Sequence, residues 1–332
     1  MNYTVIMTND CNMNCLYCYE KNKKKQSISY STLDATVTFV KDTMSSKNKL
    51  VIHGGEPLLE FDKIKYFVDE INKIKKECKF ELFITTNATL VDDASADFLK
   101  KHFDKISISI DGISESHDKN RIFKKGSGTY NVILEKINLY FKDSLETLIA
   151  RMTVNERNVY ELSQNVLHLI KLGFKKIYPV VDQMGNWNDE SLIVLRDEFL
   201  KVLNSAEIEV EDFDLGFVKD AIYKCKNAHC KGGLTTFTVD TDGNLYPCVV
   251  ANGIKRFCIG DVFNGLDINK RDTILDNNNH KNTYCIGCGR YDYCEGTRCK
   301  IINKIQTDDW NIPSINICEI ENLKVELAQR FL

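Results

Sequence analysis

Residues 3–18 read Tyr-Thr-Val-Ile-Met-Thr-Asn-Asp-Cys-Asn-Met-Asn-Cys-Leu-Tyr-Cys. A β-branched, apolar run of strand length breaks into a polar loop that carries Cys11, Cys15 and Cys18. The same order, strand-length run and then helical periodicity, recurs along the chain. After Tyr3–Thr8 come strand-like runs at Leu50–His53, Glu81–Thr86, Lys105–Ile110, Leu148–Val154 and Lys175–Val181. Between the second and third, Ile64, Phe67, Val68, Ile71 and Ile74 follow the spacing of an amphipathic helix, as do Val159, Leu162, Val166 and Leu169 after the fifth. Six strand-helix repeats predict an α/β fold with a parallel sheet and right-handed crossovers. Periodicity leaves open whether the sheet curls into a partial barrel. Pro179 removes a ladder donor from the sixth strand, which suits an edge position.

In parallel α/β folds the loops at the carboxyl ends of the strands build the site, and here those loops hold the polar groups. The first carries the three cysteines, the second His53-Gly54-Gly55-Glu56-Pro57, the third Thr86-Asn87 and the fourth Ser109-Ile-Asp111-Gly112. Strand five contains Arg151, and strand six ends in Asp182-Gln183. Three thiolates within eight residues can ligate three corners of a four-iron four-sulfur cube, leaving one iron open, or form a zinc set that lacks its fourth member. Paired glycines let backbone approach a bound molecule closely.

The 332 residues are 43% hydrophobic and 27% charged, with a net charge of −3. That composition excludes disorder and collagen, and the length suggests roughly two domains at about 150 residues each. Neither a membrane span nor a signal peptide is present, so a cytoplasmic protein is expected. The charge gives no case for nucleic acid or a membrane surface as partner, and Lys23–Lys25 reads as a solvated loop. Thirteen cysteines, an odd number in a chain without a secretory signal, favour metal or cluster ligation over disulfides. Three lie near the N-terminus and nine between Cys225 and Cys318. Cys78, four residues after Ile74, and Cys258, in the run Arg256–Phe263, read as small buried apolar residues.

The CxxxCxxC triplet with an aromatic residue before its last cysteine, followed by GGEP after the next strand and SIDG at the end of the fourth, resembles the radical S-adenosylmethionine (SAM) enzymes. The similarity spans residues 2–205 and implies a partial TIM-like barrel of six strand-helix units. It implies that Cys11, Cys15 and Cys18 hold a 4Fe-4S cluster whose open iron binds SAM. It further puts Tyr17 beside the adenine, and Gly54, Gly55 and Glu56 at the methionine amino group. Ser109 and Arg151 would contact ribose or carboxylate, with Asn87 and Arg121 as further contacts.

The C-terminal cysteines can be read as two zinc sites by spacing. Their order also resembles the SPASM extension of radical SAM enzymes: Cys230, then Gly243-Asn-Leu-Tyr-Pro-Cys248, then Cys285-x2-Cys288-x5-Cys294-x4-Cys299, then Cys318. Cys299 departs from the pattern, standing four residues beyond Cys294 where three is usual. The resemblance implies two auxiliary 4Fe-4S clusters, one on Cys225, Cys230, Cys248 and Cys299, the other on Cys285, Cys288, Cys294 and Cys318. The expected organisation is a barrel over 1–205, a connector over 206–224, a cysteine-rich domain over 225–318 and a C-terminal helix over 319–332. Gly185–Asp189, Asn204–Phe217 and Asn264–Asn282 read as loops or connectors.

Enzymes of this type typically modify peptides or proteins. The resemblance thus implies a maturase that uses a 5′-deoxyadenosyl radical to install a thioether or carbon-carbon crosslink, or an epimerisation, in a ribosomally made peptide. The alternatives are an anaerobic sulfatase maturase and, from another class, a zinc-stabilised binding protein without catalysis. Asp182 is the candidate base, its other reading being a loop cap. Implied partners are the precursor peptide and a low-potential electron donor such as flavodoxin or ferredoxin. Because the chain begins directly with strand one, a leader sequence is expected to be bound by the barrel or by a separate leader-binding protein.

Overall fold

The computed structural model describes residues 1–18, 24–75, 78–205, 214–218, 229–280 and 282–329. Along them run β1 (Asn2–Ile6), α1 (Tyr30–Thr43), β2 (Lys47–His53), α2 (Phe61–Ile74), β3 (Lys79–Thr86), α3 (Asp93–His102), β4 (Lys105–Ser109), α4 (Ser114–Asn120) and α5 (Tyr130–Tyr140). There follow β5 (Ile149–Val154), α6 (Leu162–Leu172), β6 (Lys176–Val181), α7 (Asp189–Leu203), β7 (Asp214–Leu215), β8 (Thr236–Val239) and β9 (Leu245–Tyr246). The series ends with β10 (Gly260–Asp261), β11 (Gly265–Leu266), α8 (Ile268–Leu275), α9 (Lys300–Gln306) and α10 (Ile315–Ala328). The six strands expected from sequence are β1 to β6. No helix among the described residues is long and apolar enough to cross a membrane.

The chain divides into two compact units. The first comprises Met1–Ser109, Asp118–Asp143 and Lys231–Leu275. Its sheet runs β4-β3-β2-β1-β8-β9, parallel throughout except for the β8–β9 pair. Alternation along β2 and β3 turns Leu50, Ile52, Phe80, Leu82 and Ile84 into the core. In α2, Ile64, Phe67, Val68 and Ile71 are fully buried, which at about 1.5–3 kcal/mol per side chain is what holds the helix in place. Local signals agree with this packing. Ser29 caps α1 by accepting from the Thr32 amide, and Asp92 and Ser95 form a reciprocal capping box on α3. Strand β8 lies in the cysteine-rich part of the sequence yet pairs in parallel with β1, Phe237 opposite Tyr3, their rings stacked 6.0 Å apart.

The second unit comprises Ile110–His117, Ser144–Cys230 and Asp276–Leu332, with β5, β6 and β7 parallel and in that order. Val159, Leu162, Val166 and Leu169 are all buried, and Gly173 closes α6 in the left-handed conformation at φ 108°. Strand β6 is not the last, since β7 pairs with it. That pairing covers only Lys176 and Ile177, so the missing donor of Pro179 falls beyond the end of β7.

Several expectations are corrected. The run Asn264–Asn282 contains α8. The C-terminal helix starts at Ile315, where Ser314 caps it. Cys78 is beyond the end of α2, half-buried, its sulfur 3.3 Å from that of Met44. Cys258 is half-buried in a loop that precedes β10, its sulfur 3.3 Å from the Gly260 carbonyl oxygen.

Candidate active site

Parallel pairing brings the carboxyl ends of β1 to β4 to one edge of the first unit's sheet. The loop after β1 runs alongside the loop after β2: the Gly55 amide donates to the Thr8 carbonyl at 2.7 Å and the Glu56 amide to that of Asp10 at 2.9 Å. A Cβ on Gly54 would meet the Thr8 carbonyl oxygen at 2.5 Å, and one on Gly55 that of Asp10 at 2.2 Å. The sequence reading gave these glycines to a bound molecule. The structure gives them a further reason, the approach of two backbones, which fixes the cysteine loop against β2.

On its other side the cysteine loop pairs with residues 120–124. The amides of Asn14 and Leu16 donate to the carbonyls of Ile122 and Asn120 at 2.8 and 2.9 Å. Met13 and Phe123 form an antiparallel bridge. This segment carries Arg121, buried, with its guanidinium 5.3 Å from the centre of the Tyr17 ring. It also carries Lys124, whose ammonium is 2.8 Å from the Asp10 carboxylate. Asp10 accepts from the Cys11 amide at 2.8 Å as well, and Lys124 holds its carboxyl below the usual range. Nothing local in the sequence announces residues 120–124 as a partner of residues 12–16, because the pairing is long-range.

Cys11, Cys15 and Cys18 are half-buried. Burial pushes the Cys11 thiol up to about 12, with the charges of Glu56, Cys15 and Cys18 adding to the effect against a hydrogen bond from Met13 that lowers it. Three thiols that disfavour one another's ionisation need a cation to become thiolates together, and a 4Fe-4S cluster meets that requirement. The Cys11 sulfur faces two donors, the Met13 amide at 3.4 Å and the Asn87 side-chain amide at 3.7 Å, as a thiolate ligand would use. The residues present therefore fit the group.

Glu56 is buried, and its carboxylate accepts from the Leu58 amide, the Thr86 hydroxyl and the Asn87 amide at 3.0, 2.7 and 2.7 Å. Burial outweighs these bonds and raises its carboxyl to about 7. Ser109 ends β4, half-buried.

In the second unit, Gly112 is pressed against Asn165, whose side-chain oxygen would be 2.2 Å from an added Cβ. Asn165 in turn accepts from the Ile113 amide and donates to Ser116. Asp111 accepts from the Thr153 amide at 3.0 Å. Arg151 is exposed in the middle of β5. Asp182 accepts from the Met184 amide at 2.9 Å, and its carbonyl accepts from the Trp187 indole at 2.7 Å. It therefore caps its loop, while burial, with the Glu156 charge adding, raises its carboxyl.

The C-terminal cysteines form a second feature of this unit. Cys285, Cys288, Cys294 and Cys318 line one cavity, together with Tyr291, Thr297 and Pro313. Burial raises Cys285 and Cys318, with neighbouring thiols adding to it. Buried Lys300 sits within reach of the charges of Cys230 and Cys299. Cys248 lies in the first unit and is half-buried. Cys225 lies outside the described residues.

Comparison with known proteins bears on this arrangement. Residues 5–162 match the model of the Radical SAM superfamily. The chain is 29% identical over 260 residues to an uncharacterised protein of Methanocaldococcus jannaschii, covering 77% of this chain and 86% of that one. It is 23% identical over 323 residues to a cysteine-type anaerobic sulfatase-maturating enzyme of Clostridium novyi, covering 86% and 84%. The solved structure of native anSMEcpe with bound AdoMet and Cp18Cys peptide superposes with a TM-score of 0.81 at 18% identity, over 99% of this chain and 96% of that one. The chain thus carries a radical SAM domain on an α/β fold with a largely parallel sheet, followed by a cysteine-rich region that suits an auxiliary domain. It is an enzyme, and a radical SAM domain over residues 5–162 implies a 4Fe-4S cluster and SAM.

Proposed function

We propose that the protein is a peptide maturase: it binds a ribosomally made peptide at the strand ends and modifies it by hydrogen abstraction, forming a thioether or carbon-carbon crosslink or an epimer. The observation that carries this reading is the cavity ringed by Cys285, Cys288, Cys294 and Cys318, a four-thiol site beyond the radical SAM domain in which a fully ligated auxiliary cluster would sit. In this reading Cys225, Cys230, Cys248 and Cys299 hold a further cluster, making three in all. The division into a barrel over 1–205, a connector, a cysteine-rich domain over 225–318 and a terminal helix belongs to the same proposal.

When bound, the N-terminal cluster and SAM supply a carbon radical that removes a hydrogen atom from the substrate. The chain's own residues perform the rest. Cys11, Cys15 and Cys18 ligate, while Asp10, Gly54 and Gly55 hold their loop against β2. Tyr17 and Arg121 flank the adenine side, and Ser109 and Arg151 serve ribose or carboxylate. Asp182, its carboxyl raised by burial, is the base assigned to the substrate proton. A low-potential donor such as flavodoxin or ferredoxin would deliver electrons, and a separate protein could present the leader.

A second reading is favoured by one observation, the 23% identity over 86% of the chain to a sulfatase-maturating enzyme: oxidation of a sulfatase cysteine to formylglycine. Iron and zinc analysis of anaerobically reconstituted protein, followed by deoxyadenosine formation from SAM, tests both. About twelve irons per chain are required by three clusters, and about two tightly held zincs with SAM intact would replace both readings by a binding role. Mass spectrometry of a sulfatase-motif peptide against precursor peptides encoded beside the gene then separates the two.

A further inference from the structure

Asn12, Asn87 and Thr89 form a closed ring of side-chain hydrogen bonds beside Cys11. Asn12 Nδ2 donates to Thr89 Oγ1 at 2.7 Å, Thr89 Oγ1 donates to Asn87 Oδ1 at 2.7 Å, and Asn87 Nδ2 donates to Asn12 Oδ1 at 2.9 Å. The Thr89 backbone amide, which can only donate, also points at Asn87 Oδ1 at 3.0 Å. That bond fixes which end of the Asn87 amide is oxygen, and the ring then fixes the rest. The second hydrogen of Asn87 Nδ2 is left to face the Cys11 sulfur, at 3.7 Å.

The backbone is shaped to keep it there. Ala88, fully buried between the two ring members, is held at φ 60°, a left-handed conformation that costs a residue with a side chain about 1 kcal/mol. This turn brings both Thr89 donors back onto Asn87. Its strain is offset by the Ala88 amide bond to Thr86 and the Asn87 amide bond to Glu56. As a thiol, Cys11 can point its own hydrogen at Asn12 Oδ1, 3.9 Å away. As a ligand it loses that proton, and the donors facing the sulfur are Met13 and Asn87. All four hydrogen-bonding positions of the Asn87 amide are then occupied by protein, so its closest chemistry is with the sulfur.

We infer that Asn87 is a positioning residue that donates an N–H to the Cys11 sulfur, and that the Asn12–Thr89 ring locks this donor so that it raises the reduction potential of the cluster on Cys11. The inference rests on the reading of Cys11 as a cluster ligand. Hydrogen bonds to ligand sulfurs stabilise the more negative, reduced cluster and are among the terms that set its potential. Removing the donor lowers the potential and makes the electron harder to load.

The test is a redox titration of the reconstituted protein, followed by the electron paramagnetic resonance signal that changes on adding SAM, in wild type, Asn87→Ala and Thr89→Val. Asn87→Ala is expected to lower the ratio of reduced to oxidised cluster at the wild-type midpoint about tenfold, equivalent to 59 mV for a one-electron couple. Thr89→Val, which keeps the donor but unlocks it, is expected to shift the midpoint in the same direction by less. A wild-type potential in Asn87→Ala with full iron content overturns the inference. Should that variant fail to assemble its cluster, an unchanged midpoint in Thr89→Val overturns it instead. A SAM-responsive cluster surviving in Cys11→Ala would overturn the ligand reading itself, whereas its loss alongside unchanged potentials in the other two overturns only the role of Asn87.

Discussion

A side-chain carbon on Gly55 would stand 2.2 Å from the carbonyl oxygen of Asp10 and 3.2 Å from Cβ of Cys11. Between these loops no room exists for even a methyl group, and the obstacle is backbone, which cannot rotate away. Gly55→Ala must therefore part the two loops and break the bonds from Gly55 to Thr8 and from Glu56 to Asp10. The expected cost is about 3 kcal/mol, at the upper end for overpacking, seen as a lowered urea midpoint and reduced iron uptake by the N-terminal site. Gly289→Ala, where nothing lies within 4 Å, should leave the urea midpoint within about 0.5 kcal/mol of wild type.

Glu56 introduces a pH dependence of known sign. Burial raises its folded carboxyl from the ordinary 4.5 to about 7, so between those values the folded chain binds more protons than the unfolded one. Stability from this group is therefore fullest below about pH 4.5 and falls as pH rises towards 7, by a few kcal/mol at most. Glu56→Gln removes the titration and, by turning an amide donor towards one of three donors, lowers stability throughout. Denaturation of both proteins from about pH 5 to 8 should give a difference that narrows with rising pH. A difference independent of pH would show that the carboxyl titrates in its ordinary range.

The Asp10–Lys124 pair is half exposed on both sides, so the ion pair itself carries little. Lys124→Ala should cost less than about 1 kcal/mol and less still in high salt. Asp10→Ala should cost more, because the Cys11 amide loses its acceptor, while Asp10→Asn keeps an acceptor and should resemble Lys124→Ala. Urea denaturation of the three variants at low and high salt checks the order.

What the sequence disclosed follows from the range of each signal. Alternation and helical spacing are local, and they located β1 to β6 and the buried faces of α2 and α6. Spacing alone grouped Cys285, Cys288 and Cys294 with Cys299, whereas the cavity is lined by the first three together with Cys318, the set that the family resemblance implied. Long-range pairings have no such signature. The return of Thr236–Val239 to β1, the clasp of residues 120–124 on the cysteine loop and the contact of Gly112 with Asn165 depend on partners far along the chain. The Asn87 ring lies between. Asn-Ala-Thr has the form of a local side-chain turn, but its closure through Asn12 requires the fold.

Glu321, which lines the four-thiol cavity, forms a buried ion pair with Lys324 at 2.9 Å. Glu321 Oε2 also accepts from the Glu295 amide at 2.9 Å, next to Cys294. Desolvation works against the Lys324 ammonium, but the charges of Glu321 and Glu295 outweigh it and keep the group well ionised. Replacing both residues by apolar ones would remove cost and gain together, whereas removing the lysine alone strands a buried carboxylate. Lys324→Met is thus expected to destabilise the unit by about 3–5 kcal/mol and to loosen Cys294. Adding Glu321→Gln should restore much of that loss, because an amide oxygen can still accept from Glu295 without a charge to bury. Urea unfolding of wild type, single and double variants measures the pattern, and metal retention by the C-terminal cysteines should follow it. A double variant no more stable than Lys324→Met would show that the pair acts through packing rather than through its charges.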